Sequence, residues 1–127
     1  MKYLNIHNAI DIHSEIIEVS GGKDGYNKIS IGYLDSALEQ IKNDDFYPSM
    51  AEKITHLMFS CIKSHPFIDG NKRSSIYLAM HFLDLNDYSV ENFPQEMEDI
   101  VVEIAENTIS KSELLKIIES FLSRNPK

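Results

Sequence analysis

A chain of 127 residues, 43% apolar and 25% charged with only 5 Gly and 4 Pro, has the composition of one ordinary globular domain spanning residues 1–127, and folding at this size removes roughly two-thirds of its surface from water. Its formal net charge of −8 repels a phosphate backbone, so no direct nucleic-acid partner is expected. Polar residues interrupt Met1–His13 every few positions and no apolar run is long enough to span a bilayer. A signal peptide and a membrane partner are therefore not expected, and a cytoplasmic location is.

Helical periodicity dominates, and no segment alternates long enough to argue for a sheet, so the expected fold is all-α. The first helix is expected from about Asn5 to Val19, with Ile6, Ile10, His13, Ile16 and Ile17 on one side and a left-handed cap at Gly21–Gly22. Gly25–Ser30 reads as a loop and Ile31–Ile41 as a shorter second helix, ended by the Asx- and Pro-containing stretch Asn43–Pro48. Ser49 with Glu52 fits a capping box for a third helix running to about Ser64, with Met50, Ile54, Leu57, Met58, Cys61 and Ile62 as its apolar stripe. Cys61, the only cysteine, falls on that stripe as a small buried hydrophobe.

A fourth helix is expected from about Asn71. Its run from Ile76 to Leu85 is apolar almost all round, which suits the middle of a bundle. Pro94 suits the first position of a fifth helix with Met97, Ile100, Val101, Ile104 and Ala105 on one face. Ser110 and Glu113 form a second capping box for a sixth, striped by Leu114, Ile117, Ile118, Phe121 and Leu122, and Ser123–Lys127 reads as a frayed end. The architecture expected is a compact bundle of about six helices around a buried fourth.

Residues 65–73 break several local rules at once. Lys72 and Arg73 put two cations in the first turn of the fourth helix, where the dipole favours anions by about 0.3–1 kcal/mol per charge. Something negative belongs there. Free N–H groups at a helix start, preceded by Gly70, make a site for phosphate. Asp69 reads either as the helix cap, the simpler choice on composition, or as a ligand for a hard cation such as Mg²⁺. Pro66 disfavours helical geometry at His65 and pushes it into a turn, where it could take a proton from a hydroxyl, although a lone histidine at a helix C-terminus is more often structural. Phe67 reads as the anchor of the loop in the core.

Rival motifs fail. Asp69–Lys72 lacks the repeated acids of a calcium loop, Gly70–Ser74 lacks P-loop spacing, and His7, His13, His56 and His81 show no metal-ligand spacing and read as surface or core residues.

His65-Pro-Phe-Ile-Asp-Gly-Asn-Lys-Arg73 resembles the Fic/Doc signature, His-x-Phe-x-acid-Gly/Ala-Asn-Gly/Lys-Arg. The likeness extends to Gly21–Gly22, Leu34–Leu38, Phe46–Pro48 with Ala51–Lys53, and Ile104–Asn107 with Ile109–Lys111, which resemble death-on-curing (Doc) toxins. It implies a helical bundle in which His65 is the general base, Asp69 holds Mg²⁺, and Gly70, Asn71, Lys72 and Arg73 bind the phosphates of ATP. Lys72 where AMP-transferring members have Gly, and Ile76 where they have a second arginine, make the cradle more similar to Doc. The resemblance then implies phosphoryl transfer to a translation elongation factor, such as elongation factor Tu. AMP transfer is the alternative activity, and a catalytically inactive binding module the alternative class.

Family members carry an inhibitory Ser/Thr-x-x-x-Glu-Gly/Asn helix in the same chain or on a partner. Ser14 and Glu18 have the spacing but Val19 replaces the final Gly or Asn, so the resemblance implies a separate antitoxin. The flap that aligns a target peptide is expected between Ile29 and Tyr47.

Overall fold

Three of the six helices start at a side-chain cap in the computed structural model, which describes residues 1–127. Helix α1 (Ile6–Ser20) begins at Asn5, whose side chain accepts the Asn8 N–H at 2.9 Å while the Asn8 side chain accepts the Asn5 N–H at 2.9 Å. Ser49 caps α3 (Met50–Ser64) through the Glu52 N–H at 3.1 Å, and Ser110 with Glu113 forms a reciprocal box on α6 (Lys111–Arg124). Such a cap contributes about 1 kcal/mol. Helix α2 spans Ile31–Gln40, α4 Asn71–Leu85 and α5 Phe93–Ala105.

Two apolar clusters fill the interior. The larger joins α3, α4, α5 and α6, with Phe93 and Phe121 packed edge to face at 5.1 Å. The smaller joins α1, α2, α3 and α4 around Leu34, Leu57, Phe67 and Leu78. The fold is an all-α bundle of six helices. Two helices share its centre: α3 packs against α2, α4, α5 and α6, and α4 against α1, α3 and α5. Along α4, Tyr77 is half-buried and His81 exposed, so one flank of this helix faces outward beside α1. No helix is long and apolar enough to cross a membrane.

Several boundaries differ from expectation. Gly21 ends α1 with φ 82° but an extended ψ of 171°, so it is not a left-handed cap. The chain must leave α1 at once in a direction that lays the next segment against the loop at 65–70. Ile12 and Ala9, not Ile6, Ile10 and Ile16, join His13 and Ile17 as the fully buried face of α1. Helix α5 starts one residue early, at buried Phe93, with Asn92 left-handed at its cap (φ 65°). Ser123 and Arg124 remain helical, Arg124 pairing with Glu96 at 2.8 Å.

Lys53 is buried on α3 among apolar neighbours, where Nζ donates to the Ile41 carbonyl at 2.5 Å and Asp44 Oδ1 at 2.7 Å. Burial works against its charge, but the hydrogen bond it donates to Asp44 and the contact with Tyr3 hold its pKa above the ordinary lysine value.

Candidate functional site

The turn between α3 and α4 is built from side chains that serve backbone groups. His65 closes α3 in the left-handed region (φ 50°, ψ 59°), a conformation that costs a non-glycine residue roughly 1–2 kcal/mol. Pro66 blocks the helical alternative, and Asn27 holds the result, its Nδ2 donating to the His65 carbonyl at 2.9 Å and its N–H to the Pro66 carbonyl at 2.9 Å. The His65 side chain stays exposed. Phe67, only 1% exposed, fills the smaller core cluster and forms an isolated antiparallel bridge with Tyr26, while the Ile68 N–H donates to the Gly25 carbonyl at 3.1 Å.

Asn71 turns its side chain back on the loop. Its Nδ2 donates to the Phe67 carbonyl and its Oδ1 accepts the Phe67 N–H, both at 2.9 Å. Both ends of the amide are engaged inside the turn, and Asn71 also presents its backbone N–H at the helix start. Beneath it the Cys61 thiol is buried, its Sγ 3.6 Å from the Asn71 carbonyl, and burial pushes its pKa up to about 12. It is a packing residue and not a nucleophile.

The Asp69 side chain does not cap α4. Gly70 occupies the cap position with φ 74°, and no side chain bonds the first turn. Asp69 instead accepts the Gly70 N–H on Oδ1 at 2.9 Å and the Lys23 N–H on Oδ2 at 3.1 Å. These two backbone donors, with smaller help from the charges of Lys23 and Arg73, hold its carboxyl below the usual range, so it is ionised at neutral pH.

Asp69, Gly70, Asn71, Lys72 and Arg73 line one cleft of about 450 Å³, closed on its far side by Ile17, Ser20, Gly21 and Gly22 at the end of α1. Lys72 makes no ion pair, and Arg73 donates through Nη1 to Ser20 Oγ at 2.6 Å. The cleft therefore joins the uncapped start of a 15-residue helix, two cations and one ionised carboxylate. That combination suits an anion and, beside it, a hard cation. For Mg²⁺ the donor set fits, because this ion takes one or two carboxylates and completes its shell with water and phosphate oxygens. His65 does not line this cleft; it stands at the other end of the same turn, four residues before Asp69.

Gly22 is required where it stands. A Cβ there would lie 2.8 Å from Asp69 Oδ2 and 3.1 Å from Ile17 Cδ1, and its φ of 116° disfavours any side chain. The segment that packs on the loop is 22–27.

Sequence reasoning overlooked the residues that support the turn. His13, Ser20, Gly22, Lys23, Asp24 and Asn27 all reach it or its neighbours from α1 and the following segment. One signal was legible: His13 interrupts an isoleucine stripe, and a polar group on a core face needs a partner.

No curated protein matches this chain. The family model described as the Fic/DOC family matches residues 3–83, a span that takes in α1 to α3, the whole turn from His65 to Arg73 and all but the last two residues of α4, and on that match the chain belongs to the Fic/DOC family.

Proposed function

We propose that this protein transfers the terminal phosphoryl group of ATP to a hydroxyl of a target protein, as a Doc-like toxin that acts on a translation elongation factor such as elongation factor Tu. Family members are typically transferases that move AMP or phosphoryl groups. The observation that carries the reading is the uncapped start of α4, lined by Lys72 and Arg73 and flanked by the ionised Asp69. The N–H groups of Asn71 to Arg73 and the two cations would receive the phosphates, and Asp69 would hold Mg²⁺, whose contribution is to neutralise charge that builds up on the transferred group.

The exposed His65 imidazole would take the proton of the attacking hydroxyl. A bond then forms from that oxygen to the γ-phosphorus as the bond to the leaving ADP oxygen breaks, in line. Lys72 and the absence of an arginine at Ile76 favour γ- over α-phosphorus at the imidazole. A separate antitoxin is expected, because the Ser14 hydroxyl is already taken by Asp24 at 3.0 Å and Glu18 does not line the cleft.

The test is the label. Incubated with a cell lysate, γ-labelled ATP should mark a band of elongation-factor size while α-labelled ATP leaves it dark. The reverse pattern would replace phosphoryl by AMP transfer, and no label from either would favour the inactive binding module.

A further inference from the structure

We infer that His13 is a positioning residue of this site, fixing the Asp69–Gly70 peptide so that the Gly70 N–H faces the Asp69 carboxylate at the cleft. The inference deepens the proposed function and rests on the reading of that cleft as a phosphate site. His13 is 1% exposed in the middle of α1. Its Nε2 lies 2.7 Å from the carbonyl oxygen of Asp69. A carbonyl only accepts, so Nε2 carries the proton. The imidazole is stacked on Phe67 at 4.0 Å with 2° between the planes, and Nδ1 is 3.5 Å from Asp24 Oδ1. One buried ring thereby touches α1, the turn and the segment paired with it.

A trans peptide is planar and sends its C=O and N–H in opposite directions, and this chain has no cis bond. With the Asp69 oxygen drawn inward to His13, the Gly70 N–H is turned outward, where it meets Asp69 Oδ1 at 2.9 Å. Asp69 Oδ2 then accepts the Lys23 N–H, so the imidazole sets the plane from which the carboxylate is aimed. Remove the donor and a part-buried carbonyl loses its partner, which favours rotation of the peptide toward water and takes the N–H away from the carboxylate. Gly70 permits this rotation, since its φ of 74° lies where glycine moves freely.

Two variants of the full chain separate ring from donor. His13→Phe keeps an aromatic ring against Phe67 and removes the donor; His13→Gln removes the ring but places an amide N–H near the position of Nε2. In the ligand-free protein, the Gly70 amide resonance should move in the Phe variant and return close to its wild-type position in the Gln variant. Transfer kcat, corrected for folded fraction from melting curves, should fall roughly tenfold to a hundredfold in the Phe variant, as misplacement of a reacting group does, and recover in the Gln variant. An unmoved Gly70 resonance in a folded Phe variant overturns the inference, as does an equal kcat loss in both. Should the Phe variant not fold, a Gln variant with a displaced Gly70 resonance and depressed kcat overturns it, and one like wild type supports it. If the wild type transfers nothing, the proposed function fails and the Gly70 resonance still decides the role of His13.

Discussion

Two charged regions of this molecule lie a helix length apart and behave oppositely. At one end of α3, Lys53 is buried and both its partners are fixed, Ile41 O and Asp44 Oδ1. Nearby, His56 Nε2 donates to Gln40 Oε1 at 2.7 Å while Nδ1 accepts from Lys111 Nζ at 2.8 Å. Here polar groups satisfy one another. Around the α3–α4 turn, Lys72 has no partner, α4 has no cap, and Asp69 keeps its charge at the edge of an open cleft. Charge that is satisfied internally serves the fold; charge left free on a rigid scaffold, as at Lys72, is available to a ligand.

The largest effect that would sharpen this contrast is at His65. In His65→Ala, transfer should fall by about 100-fold or more, the usual contribution of a general base, with the melting temperature little changed because the side chain is exposed. Retained activity at normal expression would remove His65 from that role.

Next comes Lys53. Truncation in Lys53→Ala leaves the Ile41 carbonyl without its donor and opens a void, and should cost about 2–4 kcal/mol in urea unfolding, while Mg-ATP affinity of the folded fraction stays as in wild type. A loss of affinity at unchanged stability would break the division between the two regions.

Asp69→Asn should do the reverse. Nucleotide affinity should drop about tenfold or more in calorimetric titration, since an amide is a poor ligand for a hard cation, with a smaller loss of stability, because the amide has one acceptor oxygen for the two backbone N–H groups that Asp69 accepts. Chelating the Mg²⁺ should weaken binding to wild type and have little further effect on the variant. Because two backbone N–H groups depress the Asp69 pKa, wild-type binding should stay flat down through the usual carboxylate range and fall only below it.

The smallest effect expected is at His56, whose pKa is lowered to about 4, by burial first and then by Lys111. A depressed histidine pKa means that the unfolded chain takes up the proton first as pH falls. Stability is therefore full above about 6.5 and declines from there towards pH 4. His56→Gln should flatten that part of the profile in urea unfolding at stepped pH; an identical slope would show that other groups carry it.

By itself the sequence determined the helices and singled out the turn between the third and fourth. Periodic apolar stripes set six helices because burial of one face decides where a helix lies, and the boxes at Ser49 and Ser110 set two starts because a cap acts within one turn. The two cations after Gly70 singled out the start of α4 because their conflict with the dipole is local. What only the tertiary structure decided is everything that links distant segments. That α3 shares the centre with α4 depends on which faces pack. That Asp69 leaves α4 uncapped depends on the Lys23 N–H, 46 residues away. His13 reads as one more core-facing residue in the sequence, and becomes a support of the turn only when α1 folds across Phe67 and Asp69. Periodicity reports which face of a helix is buried, whereas the partner that meets a polar group on that face is set by packing between elements, and no local pattern encodes it.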